Sequence, residues 1–145
     1  MNNKKSSIFD LDPSLLSSIL WIIAILVLFK GYNFIPLLIS FLALKFEHQS
    51  ELVRNHAGQL LIISFIAFIV GFVLRNITVL LMILISWLPG LNITVALLAQ
   101  AISFILNLFI LAYYAIGLIK ALKNSFVSLP VIGSLGDKLS RSIHP

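Results

Sequence analysis

Residues 57–74 read AGQLLIISFIAFIVGFVL, a stretch that carries no charged side chain. A helix of this length rises about 27 Å, close to the hydrocarbon thickness of a bilayer, about 30 Å. Such a stretch predicts a helix that crosses a membrane.

The composition of the whole chain agrees with this prediction. Of its 145 residues, 60% are hydrophobic and only 10% are charged, whereas soluble domains are about one-half apolar and about one-quarter charged. So few charges cannot cover the surface of a soluble fold. The composition therefore excludes a soluble enzyme, a disordered regulator and a conventional nucleic-acid-binding domain. It predicts an all-α integral membrane protein of one domain.

The chain offers few groups for chemistry. It has no cysteine, which excludes disulfides, thiolate nucleophiles and thiolate-bound metals. No acidic side chain lies inside a long apolar run, where proton pumps and ion-coupled transporters usually place one. The five acidic residues are Asp10, Asp12, Glu47, Glu51 and Asp137. We therefore expect no catalytic residues, no cofactor and no resident metal.

Besides 57–74, apolar runs occur at 15–29, 34–46 and 94–119. The first two are short, since fifteen helical residues rise about 23 Å, so they span with snorkelling flanks or form a partial hairpin. The run 77–88 is shorter still and is closed by Pro89-Gly90. The predicted organisation is a polar N-terminus (1–13), a transmembrane domain (14–123) and a tail (124–145).

Signals for helix starts occur at three places. Asp12-Pro13-Ser14 predicts the start of the first helix, because Asp and Ser are good N-caps and Pro suits the first turn. The Asn-Ile-Thr triplets at 76–78 and 92–94 are each expected to cap the apolar run that follows. No small-residue cleavage site follows the first run, so we expect it to be retained as an anchor.

The distribution of Lys and Arg decides the predicted topology, because cytoplasmic loops are enriched in these residues. With four crossings, one side holds eight cations and the other holds only Lys30 and Arg75. The eight are Lys4, Lys5, Lys45, Arg54, Lys120, Lys123, Lys138 and Arg141. We therefore predict a multi-pass protein of the cell membrane with cytoplasmic N- and C-termini. The predicted fold is a four-helix bundle with an extra short apolar helix (77–88) in the outer leaflet.

The tail carries apolar residues near every fourth position from Val131 onward, with charged residues between them. This spacing predicts an amphipathic helix at the cytoplasmic interface. The net charge of +5 suits this place, because anionic lipid headgroups attract Lys and Arg near the membrane. Anionic headgroups are therefore expected partners. Nucleic acid is not, since no element presents a dense basic face.

The last span carries a polar stripe, formed by Gln100, Ser103, Asn107 and Tyr114. Three of these residues recur every seven positions, so they lie along one face of the helix. The favoured interpretation is packing, with the polar groups hydrogen-bonded to a neighbouring helix. The alternative is a polar lining for a pore or groove, which makes the protein a channel or transporter subunit.

The polar stretch 45–56 is where a metal site would first be sought. His48 and Glu51 are three residues apart and His56 is close in sequence, so a zinc or iron site can be drawn. Stronger signatures such as H-E-x-x-H are absent. The simpler interpretation is a polar cytoplasmic loop, and a membrane metalloenzyme is the third hypothesis.

Two motifs resemble a known family. Residues 51–59, ELVRNHAGQ, look like the V-R-F-H-A-x-Q-A helix start of the Tic-twenty-like family. Residues 117–123, GLIKALK, followed by 129–133, LPVIG, are similar to that family's closing I-x-A-x-x-G…L-P-x-I-G. The matching positions are Arg54, His56 and Gln59 in the first motif and Leu129, Pro130 and Gly133 in the second. The departures are Asn55, Leu60 and Asn124, where an aromatic residue, Ala and Gly are usual.

The family comprises a membrane component of the chloroplast inner-envelope import machinery and small bacterial relatives. The resemblance implies four helices with inward termini and no catalytic residues. Plastid members are thought to contribute to a protein-conducting channel, whereas bacterial members lack an agreed activity. We therefore expect a scaffold or subunit of a larger assembly, with other membrane proteins or further copies as partners. Arg54, His56 and Gln59 are expected to be architectural, with Arg54 at the headgroups.

Overall fold

The computed structural model describes residues 12–30, 34–126 and 133–142. These residues form five α-helices and no strand. The helices are α1 (Pro13–Lys30), α2 (Phe34–Phe46), α3 (Glu51–Leu84), α4 (Leu91–Leu122) and α5 (Gly133–Ser142). The predictions for residues 1–11, and for Leu129 and Pro130 of the second motif, lie outside the described residues.

The start of α1 follows the predicted capping pattern. A side-chain oxygen of Asp12 accepts a hydrogen bond from the backbone N–H of Ser14 (3.0 Å). The Asp12 carbonyl accepts from the N–H of Leu16 (3.0 Å), so Asp12 stands at the helix start and Pro13 fills the first helical position.

Only three helices, α1, α3 and α4, are long and apolar enough to cross a membrane among the described residues. The helix α2 has the bounds predicted for the second run, but its 13 residues rise only about 20 Å. The all-helical class is therefore confirmed. Four spans were predicted and three candidates are found, because α2 is too short to be counted among them.

The predicted break between residues 74 and 77 is wrong, because α3 runs unbroken from Glu51 to Leu84. The polar side chains in the supposed break bond to the helix itself. The amide of Asn76 donates to the Phe72 carbonyl (2.7 Å), and the Thr78 hydroxyl donates to the Leu74 carbonyl (2.8 Å). These bonds satisfy polar groups without ending the helix. The run 77–88 is thus the last part of α3 and the turn after it, and not a separate outer-leaflet helix.

The helix α4 begins three residues before the predicted position. Its N-cap is Gly90, which has φ +85°, a left-handed conformation that glycine adopts without steric cost. Asn92 lies inside the first turn, where its side-chain oxygen accepts from the N–H of Ile93 (2.9 Å). Neither Asn-Ile-Thr triplet therefore provides the cap that was predicted.

The core of the molecule lies at one end. The buried residues of α3 all lie between Leu52 and Ala67, and those of α4 are Tyr114, Gly117 and Ala121. Here α3 packs against all four other helices, and α1 also packs against α4. None of residues 68–107 is buried. We call this part of α3 and α4, with the turn between them, the distal hairpin.

The polar ends of the helices meet at the core end. The start of α1 lies beside the end of α4, because the Ser14 hydroxyl donates to the Ala121 carbonyl (2.6 Å). The end of α2 lies beside the start of α3, and α5 packs on the same part of α3. Six of the eight cations predicted to share one side are described, and all six belong to the segments that meet at this end: Lys45, Arg54, Lys120, Lys123, Lys138 and Arg141.

The predicted tail helix exists as α5, and glycine forms part of its contact face. Gly133 and Gly136 are buried, whereas Leu135 is exposed. A Cβ atom on Gly136 would lie 2.6 Å from the Gln59 amide nitrogen, so the close approach of α5 to α3 requires glycine there.

Candidate functional site

The stretch 45–56, predicted as a polar cytoplasmic loop, contains the end of α2, a short loop at 47–50 and the start of α3. Glu47, Arg54 and His56 are buried, and so is Gln59 one turn further along α3. Together with Asp137 of α5 these residues form what we call the polar cluster. Because buried polar groups are costly unless they are hydrogen-bonded, the partners of each one define what the cluster does.

Arg54 joins the start of α3 to the end of α2. One guanidinium nitrogen, Nη1, donates to the carbonyl oxygens of Leu44 (2.9 Å) and Glu47 (2.8 Å). The last carbonyls of a helix have no partner within it, and a cation at this end also suits the helix dipole. Arg54 is only 7% exposed, so its guanidinium is held inside the protein and not on its surface.

Glu47 and Ser50 shape the turn that leads into α3. One carboxylate oxygen of Glu47 accepts from the backbone N–H groups of Gln49 (2.8 Å) and Ser50 (3.0 Å). Ser50 is the N-cap of α3, and its hydroxyl accepts from the N–H of Val53 (3.3 Å). The turn therefore depends on side-chain acceptors for its backbone donors.

His56 bridges α1 and the end of α4. The indole Nε1 of Trp21 donates to His56 Nδ1 (2.9 Å), and His56 Nε2 donates to the Ser125 carbonyl (2.8 Å). An indole N–H can only donate and a carbonyl can only accept, which assigns the neutral tautomer with its proton on Nε2. The two rings meet edge to face, with centroids 6.2 Å apart. Both ring nitrogens of His56 are therefore engaged within the protein.

The Ser125 carbonyl is placed by the way α4 ends. Asn124 has φ +56°, and the N–H groups of Asn124 and Ser125 donate to the carbonyls of Ala121 (3.0 Å) and Lys120 (2.9 Å). This is the hydrogen-bond pattern of a Schellman motif. Asn is the residue that most often replaces Gly in this left-handed conformation.

Gln59 and Asn55 hold α5 against α3. The Gln59 amide donates to the Gly133 carbonyl (2.8 Å) and, at 3.4 Å, to a carboxylate oxygen of Asp137. The Asn55 amide donates to the same oxygen (3.1 Å). Gln59 and Gly133, which belong to different motifs in sequence, are thus direct partners. The polar cluster links all five helices through side chains from α3.

The structure does not bring together the three residues that the sequence suggested as a metal site. His48 and Glu51 are exposed, whereas His56 is fully buried and bonded through both nitrogens. Within the described ranges no three His, Asp or Glu side chains are grouped to hold a metal ion. The metalloenzyme hypothesis therefore has no geometric basis at these three residues.

The polar stripe of α4 is divided between two environments. Tyr114 is buried in the core, where its ring lies 5.9 Å from that of Trp21. Gln100, Ser103 and Asn107 instead line an open groove of about 560 Å³ between α3 and α4. Small side chains on both helices leave the space for this groove: Gly71, Ala96 and Ala99.

Arg75 lies in the same groove, although the sequence suggested only that it ends a span. The Arg75 side chain makes no hydrogen bond to another of the described residues. The same holds for the side chains of Gln100, Ser103 and Asn107. Among the described residues of this chain, these three stripe residues therefore have no hydrogen-bond partner on a neighbouring helix, and the packing interpretation stays a prediction for them. A cation between two apolar runs is the signal that could have marked the groove.

The sequence did not predict that Trp21 and Ser125 are partners of the polar cluster or that Asp137 belongs to it. Their partners lie 35 to 82 residues away in the chain, so no local motif contains both members of a pair. An indole in an apolar run together with a His elsewhere in the chain was the one available hint, because a buried indole N–H needs an acceptor.

Comparison with known proteins found no matching family model, no matching curated protein and no matching solved structure.

Proposed function

We propose that this chain is a multi-pass membrane protein of the Tic-twenty-like kind, which works as a non-enzymatic scaffold or subunit of a larger membrane assembly. The observation that carries the proposal is the distal hairpin. Its surface includes Phe72, Leu98 and Phe104, each 59–65% exposed. Apolar surface on this scale marks membrane or protein contact. A bilayer covers such helices, whose backbone groups are satisfied internally.

The unequal lengths of the helices support a role in assembly. The helix α1 has 18 residues and α3 has 34, which correspond to rises of about 27 Å and about 51 Å. A bilayer about 30 Å thick matches α1 and leaves part of the distal hairpin beyond it, unless α3 tilts strongly. Another membrane protein that packs on the hairpin removes this mismatch.

The proposed orientation places the polar end of the bundle in the cytoplasm. That end carries Lys45, Lys120 and Lys123 as exposed cations, as expected of a cytoplasmic face. The chain has no native cysteine, so single-cysteine variants report topology directly. An impermeant maleimide added to intact cells should label Ser86→Cys in the hairpin turn and leave Lys123→Cys unlabelled. The reverse pattern contradicts the proposed orientation.

The assembly itself is tested by native mass measurement after gentle solubilisation. A photo-crosslinking residue in place of Leu98 should capture a membrane partner or a second copy, whereas the same residue in place of the exposed Glu51 serves as the matched control. A strict monomer with no co-purifying protein and no crosslink from position 98 contradicts the proposal.

The groove supports a second candidate function, a subunit of a channel or transporter. Gln100 and Asn107 line it, but two helices of one chain do not enclose a pore, so conduction requires neighbouring chains. The hypothesis predicts solute flux in proteoliposomes that is lost in the double variant Gln100→Leu with Asn107→Leu. Unchanged flux in that variant removes the stripe from the mechanism.

A further inference from the structure

The groove between α3 and α4 presents one cation without a matching anion. Arg75 lies nine residues before the end of α3 and Gln100 nine residues after the start of α4, so both sit about 14 Å from the hairpin turn. No Asp or Glu occurs between residues 52 and 136 of the sequence. The distal hairpin therefore contains no carboxylate of its own, and none of the described residues that line the groove is acidic. An anion held beside Arg75 would come from outside the hairpin.

The groove around Arg75 combines polar and apolar surface. The groove that Arg75 lines is also lined by the amides of Gln100 and Asn107 and the hydroxyl of Ser103, all able to donate hydrogen bonds to anionic oxygens. Leu74 and Phe104 line the same groove with apolar surface. Its volume, about 560 Å³, lies in the range of small-molecule sites.

We propose that this groove binds an anionic amphiphile, with its phosphate or carboxylate against Arg75 and an acyl chain along the apolar part. Guanidinium groups bind both anions through paired hydrogen bonds, and basic pockets between transmembrane helices recognise anionic lipid headgroups. The inference rests on the proposed membrane location, and it goes beyond the scaffold role by naming a ligand for the hairpin.

A second copy of the chain is the less suitable occupant. Copies inserted in one orientation bring their own Arg75 to the same depth and contribute no acidic residue between 52 and 136. Two like charges in a region of low dielectric constant repel each other. An amphiphile supplies both the missing anion and the apolar contact.

The test measures lipid retention by the full chain, purified in mild detergent, with native mass spectrometry. Phosphatidylglycerol and phosphatidylcholine of equal chain length are the probes. We expect stoichiometric retention of phosphatidylglycerol in preference to phosphatidylcholine, and binding about tenfold or more weaker in Arg75→Gln, since a charged hydrogen bond is lost. Lys30→Gln, which removes one exposed positive charge from the end of α1, is the matched control and should bind within about twofold of the wild type.

Four outcomes overturn the inference. The first is equal retention of phosphatidylglycerol by Arg75→Gln and by the wild type, when the two have the same thermal unfolding midpoint. The second is no preference between the two lipids, and the third is displacement of the lipid by millimolar inorganic phosphate, which would show that a free anion suffices. The fourth is a co-purifying membrane protein, in place of lipid, that is lost in Arg75→Gln. Membrane extraction by carbonate reports the membrane location separately, so its failure is distinguishable from failure of the lipid site.

Discussion

Replacement of His56 by Leu tests whether the polar cluster stabilises the fold. The substitution keeps a side chain of similar size but removes the acceptor for the indole N–H of Trp21 and the donor to the Ser125 carbonyl. Trp21 is fully buried, so its N–H cannot turn to solvent. A buried donor left without an acceptor costs about 1–3 kcal/mol.

The expected result is a decrease of about 1–3 kcal/mol in the free energy of unfolding. The Ser125 carbonyl adds little, because its bond is only partly buried and water can replace the imidazole. Unfolding in mixed micelles, followed by the loss of helical circular dichroism, measures the free energy. His48→Leu is the matched control, because His48 is exposed and surface substitutions usually stay within about 0.5 kcal/mol.

A double-mutant cycle with Trp21→Phe isolates the bond between the two rings. In the Trp21→Phe background no indole N–H needs an acceptor, so His56→Leu should cost less, with a coupling energy of about 1–2 kcal/mol. The reasoning is refuted if the coupling is below about 0.5 kcal/mol, or if His56→Leu and His48→Leu destabilise the protein equally.

Three further substitutions test other contacts, each by the same unfolding assay. Gly117→Ala should lower the free energy of unfolding by about 1–3 kcal/mol, because its new Cβ atom would overlap the buried Trp21 ring. The double variant with Trp21→Leu should recover part of this loss. If the effects of the two substitutions are simply additive, the clash is not the cause. Arg54→Met should lower the free energy of unfolding by about 3 kcal/mol or more, since two carbonyls at the end of α2 lose their donor and buried Glu47 loses a nearby cation. A decrease below about 1 kcal/mol would show that water replaces the guanidinium. Ser50→Ala should cost about 1 kcal/mol through loss of the N-cap, whereas Ser50→Gly should cost only a few tenths, and equal losses would exclude the capping role.

The helical elements could be predicted because their signals are local. The bounds of α2 agree with the apolar run 34–46, and the start of α1 agrees with its capping residues. The prediction failed at Arg75-Asn76, where a charge and an amide suggested a helix end. Inside α3 the Asn76 amide bonds to the carbonyl four residues earlier, so the same residue types that begin a helix also fit within one.

The partners of the motif residues could not be predicted from the sequence. The resemblance singled out Arg54, His56 and Gln59, and all three are buried in the polar cluster. The sequence offered no means of pairing Gln59 with Gly133, 74 residues away, because such a contact forms only once α5 has packed on α3. The split of the stripe between core and groove has the same origin, since Tyr114 packs against Trp21 of α1, whereas Gln100 is exposed.

By itself, the sequence determined the all-helical class and the presence of long apolar helices. These properties depend on composition and on hydrogen bonds within each helix, both of which are local. Only the tertiary structure decided that His56 accepts a hydrogen bond from the Trp21 indole and that Arg75 lines an open groove. Each of these depends on which surfaces of distant segments come together, and packing among nearly uniform apolar helices leaves no pattern in the sequence that specifies the partner.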